Sequence, residues 1–332
     1  MGEGAARVKV LVTGGSGFLG AAIVRRLVER GDEVGTLSRG AHAVPAGVDA
    51  RRGEISDAGV VDEAVRGCDA VVHTAAKVGG WGRAVDFHRT NVVGTRHVVD
   101  ACLRHGVRRL VYTSSPSVVS SAGDLEGVDE SHPSGAYLAD YPRTKAKAEA
   151  LVLAADGPAL TTVALRPHLL FGPGDTQLVP RLVERAKAGR VVLPSGPDKR
   201  VDCTYIDNAV DAHLLALESS RCGGRAYFIG QGEPVPSRWL IDRVLACAGV
   251  PPVSRRLPPS LLFAAGALCE TTYRVLGIFD REPPITRFVA HELCTAHWFD
   301  LSAARRDLGY TPRVSLEEGL RRLAAALAEP GR

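Results

Sequence analysis

Apolar residues follow two patterns along this chain, and the two patterns alternate. Short, mostly apolar runs are separated by longer segments in which apolar residues recur every three or four positions. The short runs are typical of buried strands, and the longer segments are typical of amphipathic helices. Strands are predicted at residues 8–13, 33–38, 70–74, 109–113 and 160–166, and helices at 18–30, 87–105 and 141–155. Strands that alternate with helices across short turns predict an α/β fold with a doubly wound parallel sheet.

After Arg166 the pattern changes, because prolines become frequent and the regular alternation stops. The prolines are Pro167, Pro173, Pro180, Pro194, Pro197, Pro234, Pro236, Pro251, Pro252, Pro258 and Pro259. Irregular connections and short helices suit a ligand-binding lobe that rests on the carboxyl edge of a sheet. We therefore predict a main domain of residues 1–170, to which residues 200–230 return. A smaller, mostly C-terminal lobe is predicted from residues 171–199 and 231–332.

Composition and charge limit the kinds of protein and partner that the sequence is compatible with. At 332 residues, with 45% hydrophobic and 23% charged residues, the chain can bury a large core, and its net charge of +4 is modest. Its arginine pairs are scattered, so we expect no nucleic-acid partner. Seven cysteines without a C-x-x-C pair suit a reducing cytoplasm, and neither a signal peptide nor a transmembrane segment is predicted. His291, Glu292 and His297 miss the H-E-x-x-H spacing, so no metal is expected.

A glycine-rich turn connects the first predicted strand to the first predicted helix. Gly14, Gly17 and Gly20 follow residues 8–13 in the spacing G-x-x-G-x-x-G. In this context the first glycine permits the turn, the second lets the backbone approach a pyrophosphate, and the third lets helix and strand pack closely. The first-turn amides of the helix then face the phosphates. The turn predicts a Rossmann-like dinucleotide-binding domain.

The end of the second predicted strand indicates which dinucleotide is bound. NAD sites usually have an acidic residue there for the ribose 2′-hydroxyl, whereas an arginine accommodates a 2′-phosphate. Residues 33–38 run directly into Arg39 without a carboxylate at the end, and Ser38 offers a second donor. We therefore expect NADPH or NADP in preference to NAD. The alternative interpretation is that Arg39 is an ordinary surface residue.

A tyrosine and a lysine supply the candidate chemistry. Tyr141 and Lys145 are four residues apart at the start of the predicted helix 141–155, and so they share one face. An ammonium beside a phenol favours the phenolate, so Lys145 is expected to lower the pKa of Tyr141. Such a pair can give and take a proton at a carbonyl without a metal. The preceding segment carries three candidate hydroxyl donors: Ser114, Ser115 and Ser117.

These features resemble those of the extended short-chain dehydrogenases/reductases over residues 8–323. The matching segments are residues 13–20, 72–76, 91–95, 166–167 and 171–174, together with Ser115, Tyr141 and Lys145. Within that family, residues 112–115, 205–208 and 296–298 resemble the 3β-hydroxysteroid and sterol-4-carboxylate dehydrogenase branch. Residues 81–82, 284–288 and 293–298 are similar to the 2-alkyl-3-oxoalkanoate reductases of bacterial long-chain olefin and β-lactone biosynthesis.

The resemblance implies a role for four catalytic residues. Hydride passes from C4 of the nicotinamide to a ketone while Tyr141 donates a proton to the developing alkoxide. Ser115, selected over its neighbours by the alignment of the motif, hydrogen-bonds the same oxygen. Lys145 lowers the pKa of Tyr141 and holds the nicotinamide ribose, and Asn91 positions a water that relays the proton.

The resemblance also implies which residues contact the cofactor. One departure from the family is Glu54, which stands where an aspartate usually lies beside the adenine. The implied contacts are Gly14, Ser16, Gly17, Phe18, Leu19, Ser38, Arg39, Glu54, Ile55, Ala75, Ala76, Lys77, Thr113, Tyr141, Lys145, Pro167 and His168.

The substrate is expected to be small and apolar, a 2-alkyl-3-oxoalkanoate or, as the alternative, a 3β-hydroxysteroid or sterol-4-carboxylate. The apolar segment 257–268 is interpreted as a core helix, an alkyl-chain tunnel, or a contact with a membrane surface or an enzyme complex. A sugar-nucleotide epimerase would use cations such as Arg200 and Arg287 for a second pyrophosphate. A non-catalytic NADP-sensing regulator is disfavoured, because a sensor needs no poised phenol.

The helices at 87–105 and after Tyr141 have more apolar surface than a single sheet-facing stripe needs. In extended relatives these two helices pair with their symmetry mates, so the resemblance implies a homodimer. Ala148 is expected on the outer, dimer-forming face.

Overall fold

The computed structural model describes residues 8–40, 44–119, 123–133, 135 and 137–329. The strands in this part of the chain are β1 (Lys9–Thr13), β2 (Glu33–Ser38), β3 (Asp49–Arg52), β4 (Ala70–His73), β5 (Arg109–Thr113), β6 (Leu125–Val128), β7 (Thr161–Pro167), β8 (Leu170–Phe171), β9 (Leu193–Pro194), β10 (Arg200–Val201), β11 (Thr204–Tyr205), β12 (Arg225–Ile229), β13 (Val235–Pro236), β14 (Arg256–Leu257) and β15 (His297–Phe299).

The helices are α1 (Phe18–Arg30), α2 (Ala58–Val65), α3 (Ala84–Phe87), α4 (Gly94–Arg104), α5 (Asp140–Ala154), α6 (Leu178–Lys187), α7 (Ile206–Glu218), α8 (Ser237–Cys247), α9 (Pro259–Val275), α10 (Arg287–Cys294), α11 (Ser302–Leu308) and α12 (Leu316–Ala328). The predicted helix 87–105 is interrupted, because His88–Val93 form a π-helical segment between α3 and α4. Such segments are often found at functional sites, and this one carries Asn91.

Seven parallel strands form the main sheet, in the order β12-β7-β5-β4-β1-β2-β3. The sheet winds outwards in both directions from β1, which pairs with β2 on one side and β4 on the other. This confirms the predicted Rossmann-like α/β fold. The edge strand β3 was not predicted, since all of its residues are exposed. β12 pairs with β7 at the other edge, and α7 packs against α1. The division of the chain into two domains stays a prediction.

Helices cover both faces of the main sheet, which explains why its strands are apolar at nearly every position. Along β1, Val10 and Val12 belong to one buried cluster, whereas Leu11 belongs to the cluster on the opposite face. All three side chains are at most 1% exposed. The core therefore holds the carboxyl ends of the strands in a fixed arrangement.

A second, four-stranded sheet has the order β13-β10-β15-β6 and lies beside the carboxyl edge of the main sheet. Phe228 of β12 stacks on Phe299 of β15 with ring centroids 4.2 Å apart. On the other side, the Trp81 indole donates to the carbonyl of Ile278, 2.9 Å away, and stacks on Phe279. These aromatic contacts join the two sheets and the loop after β4 to the region of α9.

The apolar segment 257–268 forms the end of β14 and the first half of α9. Leu262 and Gly266 are buried, and α9 packs against α10, whereas Leu261 and Leu268 are 52% and 69% exposed. The segment is therefore partly core and partly surface. Among the described residues, no helix has both the length and the apolar character needed to cross a membrane.

Ala148 was expected on an outer face of its helix, and this was wrong. Its side chain is 0% exposed and belongs to the buried cluster beneath the sheet. The reason is the orientation of α5, which turns Ala148 and Val152 inwards and leaves Lys147 and Ala150 exposed.

Candidate active site

The carboxyl ends of five adjacent strands, β7, β5, β4, β1 and β2, meet at one edge of the main sheet. The residues predicted to contact a dinucleotide follow these ends or lie in the helices and the π-helical segment next to them. This is the edge at which doubly wound sheets bind nucleotides. The fold therefore brings the predicted cofactor and catalytic residues to one side of the molecule.

The glycine-rich turn has the geometry of a phosphate-binding loop. Gly14 has a φ of 72°, and a Cβ there would lie 2.9 Å from the backbone of Ala75. A Cβ on Gly20 would overlap the carbonyl oxygen of Gly14. Gly17, by contrast, is exposed, and among the described residues no side chain caps the amides of α1. These free first-turn amides, with Ser16, Phe18 and Leu19 around them, fit a pyrophosphate.

At the end of β2, Ser38 accepts a hydrogen bond from the Ser16 amide at 3.1 Å, which joins this strand end to the glycine turn. Arg39 is exposed, and its guanidinium makes no hydrogen bond or ion pair within the described residues. Its carbonyl accepts from Arg52 Nε at 3.0 Å, so a second guanidinium lies next to it. Arg52 was not predicted, because nothing in the sequence pattern places β3 beside the end of β2.

The two residues predicted beside the adenine differ in burial. Ile55 is 6% exposed and packs against Gly94 of α4. Glu54 is exposed, and its carboxylate accepts from the Ser56 hydroxyl at 3.1 Å. Ile55 thus offers an apolar wall and Glu54 an acceptor at the rim.

A buried histidine joins the ends of β1 and β4 through one continuous chain of hydrogen bonds. The Thr95 hydroxyl donates to the carbonyl of Asn91 at 2.6 Å, so it accepts from His73 Nε2 at 3.0 Å. His73 Nδ1 then accepts from the Thr13 hydroxyl at 2.6 Å, and that hydroxyl accepts from the Ala75 amide. Burial lowers the pKa of His73 to about 3, so the ring is neutral. No role for His73 was predicted from the sequence.

The Asn91 side chain fastens the loop after β4 to the start of α5. Its Oδ1 accepts from the Lys77 amide at 2.7 Å, and its Nδ2 donates to the Lys77 carbonyl and to the Thr144 hydroxyl, both at 3.0 Å. Thr144 lies between Tyr141 and Lys145 in the sequence. Asn91 therefore aligns Ala76 and Lys77 with the catalytic helix, and its water relay stays a prediction.

Ser115, Tyr141 and Lys145 lie together, as the sequence predicted. Ser115 hydrogen-bonds the Tyr141 hydroxyl, and its Oγ lies 2.9 Å from Ser117 Oγ. Lys145 Nζ donates to the carbonyl of Thr113 at 2.6 Å and lies 4.1 Å from the centre of the Tyr112 ring. Of the two competing serines, Ser114 is buried and its hydroxyl has no partner in the described chain.

The electrostatics of this pair differ from the sequence expectation. Burial raises the pKa of Tyr141 above its ordinary value, and the hydrogen bond from Ser115 offsets only part of that rise. Burial also lowers the pKa of Lys145 to about 7, against the opposing charge of Glu149. The expected lowering of the Tyr141 pKa by Lys145 was therefore wrong, because the ammonium is desolvated and directed at Thr113.

Two further supports lie beneath the site and were missed in the sequence. Glu149 accepts two hydrogen bonds from Arg166, at 2.9 and 2.6 Å, and both side chains are buried. His213 Nδ1 donates to the Ala209 carbonyl, so its Nε2 accepts from the Thr113 hydroxyl at 2.8 Å. Burial lowers the pKa of His213 to about 4. Each pair joins a strand residue to a helix residue that is distant in the sequence, so no local pattern predicts it.

Two clefts adjoin the catalytic residues. One is narrow, with a cavity volume of about 20 Å³, and is lined by Ser117, His168, His291, His297 and Phe299, among others. The other has a cavity volume of about 170 Å³ and is lined by Trp81, Phe87, Tyr137, Asp140, Arg143 and Arg274, among others. Pro167 ends β7, and the side chain of the following His168 turns into the first cleft. Nowhere in the described ranges do three His, Cys, Asp or Glu side chains gather in a way that would hold a metal ion.

Residues 11–258 match the 3-beta hydroxysteroid dehydrogenase/isomerase family. The chain belongs to that family. Its members are NAD(P)-dependent oxidoreductases, so the predicted family and enzyme class are confirmed. Dependence on a pyridine nucleotide follows, whereas the choice between NADP and NAD stays a prediction.

Among family relatives, the 2-alkyl-3-oxoalkanoate reductase of Stenotrophomonas maltophilia is 49% identical over 97% of this chain and 100% of its own length. The decarboxylating sterol-4-alpha-carboxylate 3-dehydrogenase of Schizosaccharomyces pombe is 35% identical, with 94% and 95% covered. Among solved structures, a Thermus thermophilus UDP-glucose 4-epimerase in complex with NAD has a TM-score of 0.76 at 25% identity, covering 98% of this chain and 100% of the epimerase. These similarities extend over almost the whole chain.

Proposed function

We propose that this protein reduces the 3-keto group of a 2-alkyl-3-oxoalkanoate to the 3-hydroxy acid with NADPH, in hydrocarbon or β-lactone lipid biosynthesis. The observation that carries the proposal is the contact between Ser115 and Tyr141 beside the buried Lys145. The full-length similarity to a 2-alkyl-3-oxoalkanoate reductase, at 49% identity, supplies the substrate class. The described residues that would hold the cofactor are the glycine turn, Ser38, Arg39 and Ile55.

The side chains perform the proton transfer. The bound nicotinamide supplies the hydride to the substrate carbon. Because the pKa of Tyr141 is raised, its phenol holds a proton at neutral pH and donates it to the oxygen that becomes the alcohol. Ser115 donates a second hydrogen bond to that oxygen. Burial lowers the pKa of Lys145 to about 7, so near neutral pH this side chain can gain or lose a proton when Tyr141 is protonated again.

The preference for NADPH rests on charge at the end of β2. Arg39 is exposed there and the Arg52 guanidinium donates to its backbone carbonyl, and neither side chain carries an ion pair to a described residue. A 2′-phosphate would accept hydrogen bonds from both guanidiniums and from Ser38. NAD lacks that phosphate and would leave two cations uncompensated.

A sterol-4-carboxylate or 3β-hydroxysteroid is the second candidate substrate, favoured by the 35% identity to the sterol dehydrogenase. A sugar nucleotide is less suitable, because Arg287 pairs with the buried Glu270 at 2.8 Å and is not free for a second pyrophosphate. Arg200 donates to the carbonyl of Pro234 instead. The intact proton donor also disfavours a sensor without activity.

Assembly and location complete the proposal. We infer a cytoplasmic homodimer formed through α4 and α5, which pack side by side and expose Leu103, Ala150 and Ala154. The exposed leucines of α9 are available for a membrane surface or an enzyme complex.

The deciding experiment measures oxidation of NADPH with three substrate classes: 2-alkyl-3-oxoalkanoates of different chain length, 3-ketosteroids with and without a 4-carboxylate, and UDP-sugars. We expect turnover of the first class. Turnover of the ketosteroids alone would replace the proposed substrate with the second candidate, and turnover of none would contradict the proposed reduction.

A further inference from the structure

The cleft beside Ser117 contains three histidines that neither hydride transfer nor proton donation employs. His168 follows β7, His291 lies in α10, and His297 begins β15. All three line the same cleft. Since Ser117 Oγ is 2.9 Å from Ser115 Oγ, the cleft starts one hydrogen bond away from the donor proposed to hold the ketone oxygen.

His291 is buried without a polar partner. Its side chain is 5% exposed, and neither ring nitrogen makes a hydrogen bond to any residue in the described ranges. One of its few neighbours is Phe263, an apolar ring 6.4 Å away. Its ring nitrogens are not among the fully enclosed polar atoms that lack a partner, so they face open space. The imidazole lines the cleft, and a ligand there would supply an acceptor for its N–H.

His168 and His297 form a pair with fixed protons. His297 Nε2 must donate to the carbonyl of Glu292, 2.8 Å away, because a carbonyl can only accept. Its Nδ1 therefore accepts from His168 Nε2 at 2.6 Å. Burial lowers the pKa of His168 well below its usual range, and the neighbouring His297 lowers it further. The pair forms one wall of the cleft.

The charges around the cleft are few. Asp124 is paired with Lys199 at 2.5 Å, and its other oxygen accepts from the Ala296 amide. Glu292 lines the cleft with its carboxylate 3.9 Å from His297 Nε2. An anion in the cleft would be repelled by the Glu292 carboxylate, so its binding depends on an N–H donor, because hydrogen bonds to charged groups are strong.

We propose that this cleft binds the carboxylate of the β-keto acid, with His291 as its N–H donor and the His168–His297 pair as a positioning wall. This inference rests on the proposed function and deepens it. In a 3-oxoalkanoate the carboxylate carbon is only two bonds from the ketone carbon. A ketone oxygen held between Ser115 and Tyr141 therefore brings the carboxylate to the region of Ser117 and His291. The cleft selects acids over ketones that have already lost carbon dioxide.

The test compares a 2-alkyl-3-oxoalkanoate with the ketone that remains after its decarboxylation. This ketone has no carboxylate that could bind in the cleft. The wild type is compared with His291→Phe, which keeps a ring beside Phe263 but removes the N–H, and with His291→Gln, which restores a donor. His88→Phe, at an exposed histidine outside the cleft, is the matched control.

We expect His291→Phe to lower kcat/KM for the acid about 10- to 100-fold more than for the ketone, mainly through KM. His291→Gln should recover most of this selectivity, and the control should not change it. An equal loss for acid and ketone, or no change for either, would overturn the carboxylate site while the proposed reduction stands. A wild type that reduces neither compound would overturn the proposed function and this inference with it.

Discussion

The glycine turn after β1 and the histidine cleft beside Ser117 lie at the same edge of the main sheet, yet they are built differently. The turn consists of consecutive residues, and its fit to a phosphate comes from backbone shape, since a Cβ on Gly20 would overlap the Gly14 carbonyl oxygen. The cleft consists of side chains that are far apart in the sequence, such as His168 and His291. Backbone recognition suits a constant cofactor, whereas side chains from separate elements can adapt to a variable substrate.

We expect the largest effect from a variant that impairs proton transfer and leaves both the glycine turn and the histidine cleft intact. Tyr141→Phe removes only the proton donor, so we expect a loss of turnover of about 100-fold or more with NADPH affinity nearly unchanged. Stopped-flow turnover and fluorescence titration of the cofactor would measure the two quantities. A variant that kept more than about a tenth of the activity would show that another group is the acid.

Lys145→Ala is the companion variant. Because Lys145 is predicted both to assist Tyr141 and to hold the nicotinamide ribose, we expect both turnover and cofactor affinity to fall. A loss in only one of them would limit the lysine to a single role.

Arg39→Asp should affect the cofactor region and leave the substrate cleft unchanged. It replaces a donor for the 2′-phosphate with a carboxylate that repels it, so preference for NADPH over NADH should fall about 10- to 100-fold. Titration of both cofactors measures the ratio. Selectivity for acid over ketone should stay constant, and an unchanged cofactor ratio would make Arg39 a surface residue.

Acidification should lower the stability of the fold on which both the glycine turn and the histidine cleft depend. The folded-state pKa values of His73 and His213 are about 3 and 4, below the unfolded value of 6.5. Between pH 6.5 and about 4 the unfolded chain therefore binds protons that the folded protein does not, so stability falls as the pH falls. Each histidine should cost about 2 kcal/mol at pH 5 relative to neutral pH.

Denaturant unfolding at pH 7 and pH 5 tests this, with His213→Gln as the comparison. Glutamine can donate to the Ala209 carbonyl and accept from Thr113, but it does not titrate. The variant should lose about 2 kcal/mol less than the wild type on acidification. An equal loss of unfolding free energy in both proteins would mean that the pKa of His213 is not lowered in the folded state.

The smallest effect should come from the outer face of α5. Ala150→Glu places a charge on the exposed surface proposed for dimerisation, and we expect a lower dimer fraction with a few-fold loss of activity. Light scattering across a concentration series measures the dimer. Ala148→Glu is not a suitable probe, because it would bury a charge in the core. A wild type that is fully active as a monomer would contradict the proposed assembly.

Features that depend on residues close together in the sequence were predicted, whereas features that depend on distant residues were missed. The five inner strands of the main sheet and the glycine turn were predicted, because apolar runs and the G-x-x-G-x-x-G spacing are local patterns, whereas the edge strands β3 and β12 were not predicted. Tyr141 and Lys145 were predicted as one face of a helix for the same reason, and the structure brings them to Ser115. Arg52 and His73 were missed, because their partners lie on strands that are neighbours only in the folded sheet.

Burial in the folded protein determined the features that were not predicted from the sequence. The sequence by itself determined the five inner strands of the sheet, the position of the dinucleotide turn and the candidate proton donor, since each depends on residues a few positions apart. Tertiary structure alone decided that Ala148 faces inwards, that the pKa of Tyr141 is raised where a lowered value was expected, and that His291 meets the His168–His297 pair. Solvent exclusion is set by everything packed around a group, and residues far away in the chain supply most of that packing.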